Sequence, residues 1–329
     1  SDYGKTFVLN TQTFTSLKFT NVAVSATGQY QITSSQEGAI LTSSDYGQTW
    51  TENTSAPSGT GFWWFDVGLS STGQYQTAQT QNISGSIGAT YTSSDYGQTW
   101  TQNTSAPIAE VWNAVAISSS GQYQTAVSQS IPGDISGAIY TSSDYGQTWT
   151  KNTSAPSTST TDWSNIMMSA TGQYQTAALL NDVLWISSDY GQTWTATSSP
   201  SETWLGLAMT GTGQFQIAGV SGSGFIYTSS DYGQTWTQNT SAPLRNWAHI
   251  SMSATGQYAT AASFAELLHM CSNNLVTGTA GTEIALGYGA GQINQSTQAI
   301  AIGNNAGNSN QGPYSVSYTH LTLPTILRV

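Results

Sequence analysis

Catalysis in this chain would fall to its carboxylates. The 329 residues include 16 acidic and five basic side chains, three histidines and one cysteine. His249 and His269 stand isolated in the sequence, and Cys271 has no base nearby, so neither metal ligation nor thiol chemistry is expected. No glycine loop with a lysine offers a phosphate cradle, and no cofactor is expected. Glycoside hydrolysis asks for less, because it needs only two carboxylates about 5–10 Å apart across the scissile bond. Asp66, Glu110, Asp134, Asp162, Asp182 and Glu202 are the acids to consider, with Glu110 and Asp134 the catalytic candidates. The alternative is that all are solvated loop acids. Aromatic side chains are the second resource, with 12 Trp and 17 Tyr. Sugars stack on exposed indole faces, so Trp63, Trp64, Trp112, Trp163, Trp204 and Trp247 are candidate glycan contacts. The alternative is that the recurring Trp wedges between structural units and buries its large area.

Composition removes other functions. The formal net charge is −11, and five basic residues cannot neutralise a run of phosphates, so no nucleic acid partner is expected. The aromatic content argues against a disordered acidic chain. No apolar run approaches the roughly 18 residues of a membrane span. One cysteine permits no internal disulfide. The Asn-Thr-Ser strings at Asn53, Asn103, Asn152 and Asn239 fit glycosylation sequons.

The elements that must position these residues come as repeats. SSDYGQTW recurs around Asp45, Asp95, Asp144, Asp189 and Asp231, and a sixth copy, SDYGKTF, contains Asp2. The successive spacings are 43, 50, 49, 45 and 42 residues. TGQY or a near variant alternates with it at Gly28, Gly73, Gly121, Gly172, Gly213 and Gly256. Phe19, Trp64, Trp112, Trp163, Trp204 and Trp247 each lie nine residues before these glycines. Runs rich in Val, Ile, Thr, Tyr and Trp, bounded by Gly, Ser, Asp and Pro, predict four short strands per unit. Four antiparallel strands in about 45 residues make one propeller blade. Within the box, the Asp carboxylate can accept backbone N–H groups across a tight turn, and Gly supplies a positive φ.

On these residues the chain resembles the Asp-box, or BNR, family of β-propellers, over roughly residues 1–276. The resemblance implies an all-β fold: a six-bladed propeller of four-stranded antiparallel blades, with seven blades the alternative. Sialidases, xyloglucan-active hydrolases, sorting receptors and photosystem assembly propellers share the motif, so it implies a fold and not a function. Sialidases clamp the sugar carboxylate with three arginines. Arg245 and Arg328 are the only arginines here, and sialidase activity is not expected. The box acids Asp2, Asp45, Asp95, Asp144, Asp189 and Asp231 are expected to be structural.

Propeller geometry sets boxes and GQY turns on one face and the remaining loops on the other, where ligands usually bind. The repeat Gly precedes the box Asp by 17, 17 and 18 residues in units 1, 4 and 5, but by 22 and 23 in units 2 and 3. Those longer loops place a candidate site near Trp63, Trp64, Trp112, Glu110 and Asp134. Neutral loop drift is the alternative.

Residues 277–312 differ. Ala285, Gly287, Ala290 and Gly291 recur 16 positions on as Ala301, Gly303, Ala306 and Gly307. The pattern is similar to β-roll repeats of trimeric autotransporter heads and viral fibres, which implies a homotrimer through these repeats; a Gly/Asn-rich linker is the alternative. Residues 313–329 are expected to be a disordered or artefactual tail, because VSYTHLTLPT resembles a translated sequencing-library adapter. The chain starts inside a box, so the native start is expected upstream. The expectation is a non-enzymatic, extracellular or virion- or cell-surface propeller that binds glycan or another surface ligand. A neutral-polysaccharide hydrolase and a scaffold for protein partners are the alternatives.

Overall fold

The computed structural model describes residues 12, 14, 17–36, 38–58, 62–82, 88–108, 110–131, 136–158, 160–263, 268–272, 284–286, 300–302 and 316–318. Among them there is no helix, and so none able to cross a membrane. Asp2 and Asp134 lie outside the described residues.

Each repeat becomes a blade. The first has β1 (Phe19–Val24), β2 (Gln31–Ser35), β3 (Ile40–Ser43) and β4 (Thr51–Glu52). The second has β5 (Phe62–Leu69), β6 (Gln76–Asn82), β7 (Thr90–Ser93) and β8 (Thr101–Gln102). The third has β9 (Val111–Ile117), β10 (Gln124–Gln129), β11 (Ile139–Ser142) and β12 (Thr150–Lys151). The fourth has β13 (Trp163–Met168), β14 (Gln175–Asp182), β15 (Leu184–Ser187) and β16 (Thr195–Ala196). The fifth has β17 (Glu202–Met209), β18 (Gln216–Val220), β19 (Ile226–Ser229) and β20 (Thr237–Asn239). In all five the strands pair antiparallel with their sequence neighbours. The sixth repeat forms a three-stranded sheet of β21 (Trp247–Met252), β22 (Tyr258–Ser263) and β23 (Leu268–Ser272). The fourth strand expected from the Asp2 box falls among residues outside the description.

First strands of successive blades pack on one another: β1 on β5, β5 on β9, β9 on β13 and β13 on β17. Each of these first strands carries a β-bulge just after its Phe or Trp, leaving Thr20, Phe65, Asn113, Ser164 and Leu205 unpaired. A bulge bends the strand and re-aims its side chains. Here it turns polar side chains onto the next blade. The hydroxyls of Thr20 and Ser164 donate to the carbonyls of Trp64 and Trp204, and the Asn113 and Asn165 amides donate to those of Trp163 and Leu205.

The boxes are turns held from inside. At Asp144, one oxygen accepts the Ser142 hydroxyl at 2.8 Å and the Thr148 N–H at 2.8 Å, and the other accepts the Thr148 hydroxyl at 2.6 Å. The same bonds recur at Asp45, Asp95, Asp189 and Asp231. Two residues, not one, adopt the left-handed conformation: Tyr145 (φ 65°) and then Gly146 (φ 79°). Tyrosine is strained there, and its ring lies against Tyr75 of the previous blade at 4.3 Å between centroids. The pairs Tyr30–Tyr96, Tyr123–Tyr190 and Tyr174–Tyr232 repeat the contact. Gly97 shows why the next position is Gly, since a Cβ there would lie 2.7 Å from Gln76 Oε1.

The sequon-like strings are fasteners. Asn103 is buried; its amide donates to Gly146 and Gln147 carbonyls in the next box, and its Oδ1 accepts the Ser105 and Ala106 N–H groups. Asn53 and Asn152 do the same. A nitrogen with two internal acceptors is not placed to carry a glycan, so at these three positions the glycosylation reading is corrected. Gln12 stands one strand earlier, where later repeats have Ser55 and Ser105, and its Oε1 likewise accepts the N–H of the next box tryptophan, Trp50. The fourth blade has Thr197 where the others have Asn. There β14 pairs directly with β17, joining two blades into one eight-stranded sheet.

The chain divides into two compact units, residues 1–250 with 262–266, and residues 251–261 with 267–329. Within the second unit, β24 (Ile284–Leu286), β25 (Ile300–Ile302) and β26 (Val316–Tyr318) form a parallel ladder. Ile284, Ile300 and Val316 are directly paired at 16-residue spacing. The period seen in sequence thus continues past the expected limit at 312 into Val316–Tyr318.

Candidate functional site

The structure separates the expected aromatic platform into two parts. Trp64, Trp112, Trp163, Trp204 and Trp247 are each 0% exposed. An indole with no accessible face cannot stack on a sugar, so these five are corrected from ligand contacts to wedges. Trp64 and Trp112 meet Tyr91 and Tyr140 edge-on at 5.2 Å, which fills the blade core. Trp63 is half-buried, and Phe19 is 54% exposed. Phe19, Val22 and Val24 are more than half exposed, whereas Trp64 and Val67, at the places of Phe19 and Val22 in the second blade, are buried. An apolar cavity of about 350 Å³, lined by Phe14, Phe19, Val22, Leu41 and Trp50 among others, lies on that face.

The acids are placed one by one, and each described one near the expected site already serves the fold. Glu110 is buried, and accepts the Ser128 hydroxyl at 2.7 Å on one oxygen and the Tyr140 hydroxyl at 2.7 Å on the other. Burial, and then the Glu110 carboxylate, push the Tyr140 phenol far above its ordinary range. Asp162 accepts both N–H and hydroxyl of Ser130. Asp182 caps its own neighbour, Val183 N–H, and Glu202 pairs with Asp182 across the β14–β17 ladder. Asp134, the other catalytic candidate, lies outside the described residues. Among the described residues no group of His, Cys, Asp and Glu gathers to hold a metal.

Asp66 differs. It is buried on β5 just after the bulge. Its carboxylate accepts the Val115 N–H at 2.7 Å, the Val67 N–H at 2.9 Å and the Asn21 amide, linking three blades. Burial pushes its carboxyl up to about 7 in spite of those backbone donors. The box acids go the other way. At Asp45 the Thr49 hydroxyl, then the Thr49 N–H and the Ser43 hydroxyl, hold the carboxyl down to about 2. At Asp95, Asp144, Asp189 and Asp231 burial pulls upward, but the same hydrogen bonds outweigh it.

Asp66 heads a polar row. It sits opposite Gln79, which sits opposite Thr90, all on the face of the second blade that meets the third. Gln79 is 0% exposed, and neither end of its amide has a hydrogen-bond partner; Thr90 Oγ1 and the Trp112 indole N–H also lack one. Buried polar atoms left unpaired are costly, about 1–3 kcal/mol each. Sequence reading missed this row, though Gln79 in QTAQTQN at 76–82 stands where the other second strands carry small residues, Ser34, Val127, Ala178, Gly219 and Ala262.

A second concave surface lies on the box face. A polar groove of about 560 Å³ runs between the first blade and the box of the second, lined by Tyr30, Thr51, Glu52, Thr54, Tyr96 and Gln98 among others. Thr51, Glu52, Thr54 and Gln98 are exposed. Sequence reading placed ligands on the opposite face and passed over this one.

Comparison with known proteins follows the same division between fold and site. The BNR-Asp box repeat family matches at residues 139–153 and 226–239, so the chain carries BNR-Asp box repeats. No curated protein matches it. Among solved structures it is similar to the GH74 xyloglucanase from Xanthomonas campestris, with 13% identity and a TM-score of 0.57, over 77% of this chain and 44% of that one. It is similar to an ancestral GH74 enzyme at 11% identity and a TM-score of 0.59, over 81% of this chain and 39% of that one. YCF48 from Cyanidioschyzon merolae matches at 13% identity and a TM-score of 0.45, over 77% of this chain and 94% of that one. The chain spans less than half the length of the two GH74 structures. With the four-stranded antiparallel sheets, the GH74 likenesses make the fold a β-propeller.

Proposed function

We propose that the chain is a non-catalytic propeller that binds glycan or another surface ligand. The observation that carries this is the state of its acids. Asp66, Glu110, Asp162, Asp182 and the described box acids all accept hydrogen bonds that hold the fold, and Glu202, directly opposite Asp182 in the ladder, is the described candidate acid left over. The exposed repeat positions are Thr, Gln and Ser, suited to hydroxyl-rich or amide-rich partners. The GH74 enzymes share the propeller, and a fold shared at this identity does not carry their activity over.

We further propose a six-bladed propeller carried at a cell or virion surface, with the 16-residue parallel ladder as a stem. Three short strands bury too little to stand alone, which favours association, as a trimer, through that segment. A glycan array with the intact chain, followed by reducing-sugar release from xyloglucan and β-glucan, tests the binding function. Retention without release is the expected result. Release that vanishes with Glu110→Gln would replace it with hydrolysis, and retention of no glycan or other surface ligand would remove it. Light scattering on the intact chain tests the stem, and a strict monomer would exclude the trimer.

A further inference from the structure

We infer that the box-face grooves between blades are the ligand sites, each taking a neutral hexopyranose unit of a glycan. This rests on the glycan-binding function proposed above and gives it a location. The first groove is formed by the tilted pair Tyr30–Tyr96, with centroids 4.5 Å apart and planes at 32°, and by the exposed Thr51, Glu52 and Gln98. Tyr96 is 36% exposed. Thr51 and Glu52 are held by the β3–β4 ladder, and with Thr54 they are exposed on the groove.

The same frame recurs at three further junctions. Tyr75–Tyr145 stands with Thr101 and Gln147, Tyr123–Tyr190 with Thr150 and Gln192, and Tyr174–Tyr232 with Thr195 and Gln234. After the invariant Thr, one exposed residue changes from groove to groove: Glu52, Gln102, Lys151 and Ala196. A constant tyrosine pair beside one variable residue, polar in three of the four grooves and Ala196 in the fourth, is a repeated site with local tuning.

Two features select the ligand class. A pyranose offers an apolar face to the tyrosines and equatorial hydroxyls to Thr, Gln and Glu, and a site that is mostly polar with one aromatic wall suits it better than a proline-rich peptide, which needs a longer apolar ridge. The box carboxylates beside each groove, Asp45 and Asp95 at the first, are held ionised, so an acidic sugar would meet like charge. Related sites on successive blades also give a polymer an avidity that a single sugar lacks.

The test uses the full chain and three neutral probes, cellohexaose, maltohexaose and mannohexaose, by calorimetry. A combined variant, Thr51→Arg, Thr101→Arg, Thr150→Arg and Thr195→Arg, fills all four grooves from exposed strand positions. Unchanged circular dichroism and melting establish that it folds. The expected result is binding of at least one hexasaccharide that weakens about tenfold or more in this variant. Glu52→Gln is expected to change only the first groove, lowering the stoichiometry or splitting the isotherm. Binding that survives the groove variant, or that is lost on Trp63→Ala instead, would overturn the location and leave the glycan-binding function standing. No hexasaccharide bound by the intact chain would overturn the ligand class. Binding of a proline-rich decapeptide that the groove variant abolishes would keep the grooves and overturn the glycan.

Discussion

The second blade meets the third across Asp66, Gln79 and Thr90; the third meets the fourth across Ala114, Val127 and Ile139. The two rows occupy the same strands and the same register. One is polar, and three of its buried atoms, two on Gln79 and one on Thr90, lack partners. The other joins Trp163, Ile166 and Ala177 in one apolar cluster. Box turns, Asn fasteners and Tyr pairs are the same at both junctions. The fold therefore does not need each interface to be dry. The repeated clamps at the box face hold the blades together, which leaves the face-to-face row free to vary. That freedom falls in the two repeats with the longest second loops.

The largest effect is expected from moving the polar row into the dry junction. Val127→Gln buries an amide among the third and fourth blades with nothing to pair it, and adds volume to a filled core. A cost of about 3–5 kcal/mol in urea unfolding is expected. A cost below about 1 kcal/mol would mean that the two junctions do not differ in kind. The reverse change sharpens the comparison: Gln79→Val gives the second blade the residue of the third. Removing an unpaired buried amide is expected to raise stability by about 1–3 kcal/mol, and Thr90→Ile to add to it.

The pH dependence separates Asp66 from the boxes. Its folded carboxyl is raised to about 7 from an ordinary 3.8. Its contribution to stability is full below about 4 and is lost as pH rises to 7. Asp45, held down to about 2, contributes above 3.8 and loses that contribution as pH falls towards 2. The melting temperature of the intact chain should thus decline from pH 4 to 7 more steeply than that of Asp66→Asn. Equal slopes would show that Asp66 does not titrate in that window.

Much of the scaffold was legible because its signals are local and repeated. The Ser-x-Asp-x-Gly-x-Thr-Trp box carries its own hydrogen bonds within a few residues, and the four-strand unit follows from alternation and turns. The wedge position of the tryptophans was legible as a period, but the period alone could not say whether the indoles faced a core or a ligand. Contacts between blades were hidden, since Asn103 reaches Gly146 and Gln147, more than 40 residues away. Their text was visible as Asn-Thr-Ser, which reads equally well as a sequon. Tyr96 was passed over because its partner, Tyr30, belongs to the preceding blade. Asp66 looked like one loop acid among six; only the packing of three blades around it sets it apart.

The smallest effect tests whether polar contacts between blades must match. Each Thr after the second-strand Gln donates to the Gln of the next blade: Thr77 to Gln124, Thr125 to Gln175 and Thr176 to Gln216, all at 2.6 Å. The first blade has Ile32 at this place, and Gln76 Oε1 is accordingly buried without a partner. The fifth repeat also has Ile, Ile217, but the sixth has Ala259 where the others have Gln, so nothing is orphaned. Ile32→Thr would supply the missing donor, worth about 1–2 kcal/mol, and would remove apolar area from a fully buried site, at a cost of about 1–2 kcal/mol. The net change should lie within about 1 kcal/mol of zero. Thr125→Val makes the opposite mismatch and should cost about 1–2 kcal/mol by orphaning Gln175 Oε1. If the two substitutions cost the same, the Thr–Gln bond contributes nothing beyond packing, and Gln79 would have to be judged by volume alone.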